Sequence, residues 1–367
     1  TELRDSLVVG SRVIVPFGSR RVTATVTGFP VQSDTLKLKN IIAIAGPPLA
    51  PGLMQLAAWM ADYYLHPLGM AIETMVPRAV EDIRPKRARM LQLLSGDHDM
   101  NAIRGPKQMA LFLLLSERLT LSFAELGNFA PSTIKALCTA GIAEIFEQDV
   151  QQPVKSGAFT PDAEPELMPE QAAAVRAISE AVNCGSFKAF LLHGVTGSGK
   201  TEVYLRCISG LSETGKGAIV LVPEIALTPQ LLGRFRKRFG DRVAMLHSGM
   251  TDRERATEYH RISEGAVDVA IGARSAVFAP FPKLGLVVVD EEHENSYKQD
   301  EGLKYQGRDV AVMRAKLEDA VCVLGSATPS LESAFNARSS KYHLLRIENR
   351  VDHRPMPEVE ILDLKQA

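Results

Sequence analysis

The run Leu191-Leu-His-Gly194-Val-Thr196-Gly197-Ser198-Gly199-Lys200-Thr201 decides how the chain folds. An apolar strand-like stretch, 189–193, leads into a glycine-rich loop, and residues with helical spacing follow. Strand, loop and helix in that order are the setting in which G-x-x-x-x-G-K-[ST] becomes a phosphate-binding loop. Gly194, Gly197 and Gly199 let the backbone curl, so that N–H groups from Thr196 to Thr201 and the helix N-terminus surround phosphate oxygens. Lys200 then adds a point charge near the β/γ oxygens, and Thr201 offers a hydroxyl to Mg²⁺.

A second motif completes the chemistry. Leu286-Val-Val-Val-Asp290 is a buried-strand pattern that delivers an acid at its carboxyl end, the edge where α/β sheets bind ligands. Asp290 is placed to hold magnesium, and Glu291 to orient or deprotonate the water that attacks a γ-phosphate. Ahead of the loop, Gln171 stands near a helix start, where its amide suits the N6 donor and N7 acceptor of adenine. The expected cofactors are therefore ATP and Mg²⁺.

Outward from these motifs, apolar runs at 189–193, 218–222, 243–246, 267–272, 286–290 and 321–325 alternate with helical patterns. Near-continuous Val/Ile/Leu runs of this kind belong to a parallel sheet covered on both faces. The N-terminal part reads differently. Short β runs at 12–15, 21–27 and 39–44 are separated by turn signals at 16–18 and 28–30, and a helix follows over 51–64. Residues 122–126 and 132–140 are expected as two short helices, with Gly141 as a C-cap and 142–146 as a strand, the order of a winged helix. The basic stretch Arg84, Lys86, Arg87, Arg89 is expected either to touch a duplex backbone or to serve as a hinge. The winged helix is read either as a DNA reader or as a folded spacer. The expected division is thus a β-rich domain over 1–83, a winged helix over 84–150, a linker over 151–166, a P-loop lobe over 167–340, and a bridge over 341–367.

Composition sets limits. With 46% hydrophobic and 23% charged residues the chain is globular, and a net charge of −1 gives no global attraction to nucleic acid. Cys138, Cys184, Cys207 and Cys322 stand singly, which suggests neither a disulfide framework nor a zinc site. No apolar run of membrane-spanning length and no signal peptide is read, so a cytoplasmic protein without membrane association is expected.

The order of motifs resembles superfamily 2 helicases, and within them the bacterial primosomal replication-restart helicases. Leu221-Val-Pro-Glu-Ile-Ala-Leu-Thr228-Pro-Gln230 is similar to the family's motif Ia, and Leu246-His-Ser-Gly249 with Ile271-Gly-Ala-Arg274-Ser275-Ala276 to its next DNA-side segments. Asp290-Glu-Glu-His293 is similar to motif II, and Gly325-Ser326-Ala-Thr328-Pro329 to motif III. Residues 296–308, with Tyr297 and Tyr305, resemble the aromatic-rich loop that senses single-stranded DNA, although Leu303 stands where members often carry tryptophan. Val13-Ile-Val-Pro-Phe-Gly18 and Ala61-Asp-Tyr-Tyr-Leu-His-Pro-Leu-Gly69 resemble the family's domain for the DNA 3′ end.

The resemblance implies a multidomain α/β protein with a RecA-like lobe and a 3′ to 5′ DNA helicase acting at branched forks. It implies loader proteins and single-stranded DNA-binding protein as partners. Thr228, Gln230, Arg274, Ser275, His293, Tyr297, Tyr305, Ser326 and Thr328 become the expected DNA or coupling residues. It further implies that a second lobe, its arginine finger and a zinc-binding insertion lie outside these 367 residues, so this chain alone is expected to hydrolyse ATP poorly. The basic residues Arg234, Arg236, Lys237 and Arg238 read as a solvated helix face.

Overall fold

The computed structural model describes residues 3–30, 38–77, 86–94, 103, 105–118, 120–123, 125–150, 164–211 and 214–351. The expected linker, apart from 164–166, and the bridge motif at 354–363 lie outside the described residues. Two compact units emerge, Asp82–Lys155 and a larger one formed by Thr1–Glu81 with Ser156–Ala367.

In the larger unit, strands β1 (Arg12–Phe17), β2 (Arg20–Thr25) and β3 (Ala43–Gly46) form an antiparallel sheet in the order β2-β1-β3. The turn expected at 16–18 falls later: β1 runs through Pro16 and reverses at Gly18, whose φ of 61° suits glycine. Pro16 is tolerated because β3 pairs only with residues 12–14 of β1, so the missing N–H costs no ladder bond on that side. Helix α1 (Pro51–Tyr63) starts with proline at its first turn and buries Leu53, Leu56, Ala57 and Met60; α2 (Leu68–Met75) follows.

The smaller unit holds β4 (Lys86–Leu93), α3 (Pro106–Arg118), β5 (Thr120–Ser122), α4 (Pro131–Thr139) and β6 (Ala143–Val150). Its sheet has the order β5-β4-β6, and Leu91, Leu111, Leu115, Leu121 and Leu137 fill its core. Two expectations change here. Ser122 ends a strand, because it pairs with Met90, and only Glu125–Asn128 coil, as a 3-10 turn. The basic stretch is no hinge from Lys86 onward: it is the central strand, with the Arg89 guanidinium 4.7 Å from the Phe123 ring centre.

The described residues from 164 onward form one α/β lobe. Its elements are α5 (Pro169–Cys184), β7 (Lys188–Gly194), α6 (Lys200–Leu211), β8 (Gly217–Leu221), α7 (Pro229–Phe239), β9 (Val243–Leu246), α8 (Asp252–Ser263), β10 (Val269–Gly272) and β11 (Leu284–Val289). They continue with the short pair β12 (Lys298–Gln299) and β13 (Tyr305–Gln306), α9 (Gly307–Leu317), β14 (Val321–Ser326), α10 (Leu331–Arg338) and β15 (His343–Ile347). Seven parallel strands form the sheet β15-β7-β14-β11-β8-β10-β9. The four central strands β14, β11, β8 and β10 are wholly buried, which is why their sequences read as unbroken Val/Ile/Leu runs.

β15 moves a boundary. The lobe does not stop at residue 340, because His343–Ile347 pairs with β7 as an edge strand, its half-exposed pattern hiding it from a search for apolar runs. The N-terminal sheet and helices join the lobe through α1 and α9: Gly52 lies against the Glu318 side chain, and the Gln306 N–H donates to Tyr64 Oη at 3.2 Å. Among the described residues no helix is long and apolar enough to cross a membrane.

Candidate nucleotide site and the motifs around it

β7 and β11 end at the same sheet edge, with β14 between them, so the glycine-rich loop and the acidic motif face each other across a cleft of about 610 Å³. Gly197 and Gly199 have φ of 82° and 78°, conformations that side-chain-bearing residues rarely adopt. The Ser198 hydroxyl is buried without a partner. Lys200, only 8% exposed, donates to the Gly194 carbonyl at 2.9 Å and lies 3.7 Å from Glu291. This arrangement fits a polyphosphate: curled backbone and a buried ammonium leave Lys200 with a single carboxylate to exchange for phosphate oxygens.

Asp290 reaches the cleft with its backbone fixed, its N–H donating to Leu221 O at 2.9 Å and its carbonyl accepting from Tyr297 Oη at 2.6 Å. Tyr204 Oη donates to Asp290 Oδ1 at 3.0 Å. Burial, with the neighbouring Glu291 charge, pushes the Asp290 carboxyl up to about 6. A cation beside it would relieve both effects. Thr201 lines the same cleft, so one hydroxyl and one carboxylate are available to Mg²⁺, a set that suffices for an ion otherwise held by phosphates and water. No cluster of three His, Cys, Asp or Glu among the described residues offers a protein-only metal site.

Glu291 sits at φ 44°, in the left-handed region, which costs a non-glycine residue about 1–2 kcal/mol and turns its carboxylate toward Lys200. Gln171 departs from its expected role in this conformation. Buried, it donates from Nε2 to Ser198 O at 2.8 Å and accepts from Met168 N–H at 2.9 Å, so both ends of its amide brace the loop and the start of α5. An adenine would have to displace one of these bonds.

The expected DNA and coupling residues divide into two groups. Thr228, Gln230, Ser275 and Thr328 are exposed at the carboxyl-side edge of the sheet, and Thr228 caps α7 by accepting from Leu231 N–H at 3.3 Å. The others turn inward. His293 Nδ1 lies 2.8 Å from the buried Ser326 hydroxyl, joining the acidic motif to the end of β14. Tyr297 and Tyr305 are buried, Tyr305 edge-on to Phe278, so in this conformation neither presents a ring for stacking. Arg274 donates to the carbonyls of Ser296 and Lys298 and lies 5.9 Å from the Tyr305 ring centre, so it anchors the 296–306 loop.

Two functional features escape sequence reading. Glu292 is wholly buried and accepts from Arg308 Nη1 at 3.1 Å, Ser330 N–H at 2.7 Å, Ser330 Oγ at 3.0 Å and Ser333 Oγ at 2.8 Å. It thereby ties the acidic motif to the starts of α9 and α10; the only hint in sequence was a third acid next to the two assigned ones. The second feature concerns α7: Arg234 and Lys237 are exposed, as expected of a solvated face, and with the half-buried Arg238 they line this cleft.

Residues 168–336 match the DEAD/DEAH box helicase family, and residues 1–77 match the PriA 3′ DNA-binding domain. The chain is 35% identical to the replication restart protein PriA of Bacillus subtilis over 99% of its own length and 55% of that protein's. It is 37% identical to that of Chlamydia pneumoniae, covering 90% of this chain and 46% of the relative, and 37% identical to that of Chlamydia trachomatis, covering 99% and 51%. The chain spans about half the length of the curated relatives it matches. From its 3′ DNA-binding domain through its helicase domain, the chain belongs to the PriA family of replication restart proteins.

Proposed function

We propose that this chain is the nucleotide-binding part of an ATP-dependent DNA helicase that acts at branched replication forks, moves 3′ to 5′ and supports primosome assembly. The observation that carries this reading is the meeting of Lys200 and Glu291 at 3.7 Å, with Asp290 and Thr201 on the walls of the same cleft. Lys200 holds the transferring phosphate, and Thr201 and Asp290 hold Mg²⁺, which when bound offsets phosphate charge. Glu291 orients the attacking water. Thr228, Gln230, Ser275 and Thr328 grip the DNA backbone through hydroxyl and amide groups.

His293 with Ser326, and Arg274 with the 296–306 loop, pass the DNA-bound state to the ATP site. The N-terminal domain binds a DNA 3′ end, loader proteins and single-stranded DNA-binding protein are the protein partners, and zinc belongs to a part of the protein beyond these residues. We expect turnover to be slow unless a second lobe supplies a cation opposite Glu291. The deciding experiment compares wild type with Lys200→Ala in the full-length protein. Loss of unwinding with intact fork binding supports a motor; unwinding that survives the substitution contradicts it.

A further inference from the structure

The phosphate end of the cleft is defined by the glycine-rich loop, Asp290 and Glu291, so a bound nucleotide must direct its nucleoside half to the opposite wall. That wall is built by Pro165, Leu205 and the basic face of α7. Buried Phe235 fixes the rotation of α7, and residues 234, 237 and 238, at i, i+3 and i+4, consequently share the side that faces the cleft. Their charges are not equivalent. Arg238 is consumed by Glu164 and by Glu202, the latter at 2.5 Å, while Arg206 spans Glu202 at 2.9 Å and the Pro165 carbonyl at 2.6 Å. These two arginines clamp the 164–166 segment across α6, with both charges paired to Glu164 and Glu202. Arg234, exposed on the same wall, has no ion-pair partner among the described residues.

We propose that Arg234 is a nucleotide-binding residue that lays its guanidinium plane against the purine of the bound nucleotide, on the wall that it shares with Pro165 and Leu205. The inference rests on the ATP-binding reading given above. A planar, weakly hydrated cation is suited to a π face, and the gain at a partly exposed site corresponds to about a 3- to 30-fold change in affinity. The stack is indifferent to the exocyclic groups that distinguish adenine from guanine, so Arg234 contributes affinity for purines as a class.

The test is calorimetric titration of Mg·ATP and of Mg·tripolyphosphate into this chain and its Arg234→Ala, Arg234→Lys and Lys200→Ala variants, with thermal melting as the check of folding. Arg234→Ala is expected to weaken ATP by about 3- to 30-fold and tripolyphosphate by less than about 2-fold, with Arg234→Lys close to Arg234→Ala. Equal losses for the two ligands, an unchanged ATP affinity, or full rescue by lysine would each overturn the proposal, since they leave only a diffuse charge effect or none. Failure of the underlying reading looks different: wild type and Lys200→Ala would then bind ATP equally.

Discussion

Replacing Glu292 by alanine removes the acceptor for four donors at once: Arg308 Nη1, the Ser330 N–H and the hydroxyls of Ser330 and Ser333, all within 3.1 Å. The Glu292 side chain is 0% exposed and that of Arg308 12%, so water cannot replace the lost carboxylate without opening the packing. Taking one partner from a buried, hydrogen-bonded ion pair costs about 3–5 kcal/mol, and the lower end applies here because Arg308 keeps the Asp309 carboxylate at 3.1 Å. The separate bonds do not add, since the serines share one oxygen with Arg308. About 3 kcal/mol is therefore expected for Glu292→Ala. Glu292→Gln keeps one acceptor oxygen but turns an amide donor toward groups that are themselves donors, and about 2 kcal/mol is expected. Urea denaturation followed by circular dichroism reads both losses as a lower midpoint at unchanged slope. A loss below about 1 kcal/mol for the alanine variant would refute the assignment of Glu292 as the hub between β11, α9 and α10.

Two further perturbations follow from the same site. Asp290→Asn should stabilise the ligand-free protein at neutral pH. The wild-type carboxyl is raised from 3.8 to about 6, so its ionisation penalty is absent below 3.8, grows as pH rises, and is complete above about 6. The melting difference, worth about 1–3 kcal/mol after allowance for partial solvent access, should accordingly vanish in acid; a constant difference across pH would refute the cause. Gly307→Ala would bring a methyl group within 3.0 Å of Arg274 Cγ and 3.2 Å of the Tyr297 carbonyl, and should cost about 1–3 kcal/mol in denaturant melts. An unchanged melting curve would mean that the 296–306 loop yields freely.

The phosphate loop and six of the seven parallel strands, the acidic one among them, could be read from the chain because each is a local pattern: a glycine spacing, or an apolar run bounded by polar residues. What stayed hidden depends on partners distant in sequence. β15 is an edge strand that stays mostly exposed, with Ile347 alone buried, so nothing in 343–347 by itself marks it as sheet. The inward turn of Arg274 is set by carbonyls at Ser296 and Lys298, and that of Tyr297 by the Asp290 carbonyl. The basic face of α7 looked solvated because its neighbour, the 164–166 segment, lies far away in sequence and is drawn across α6 by Arg206 and Arg238. Gln171 was read as a base contact on its position near a helix start; the bond to Ser198 O, 27 residues on, shows what its amide holds in this conformation.

The facing of Lys200 and Glu291 across the cleft is tested most directly by calorimetric titration of Mg·ATP into the chain and into Lys200→Ala. Wild type should bind with one site per chain, and the alanine variant, with its melting temperature retained, should bind at least about 10-fold more weakly because a buried ammonium no longer meets the phosphates. Equal affinity in the two proteins would contradict the placement of the triphosphate on this loop.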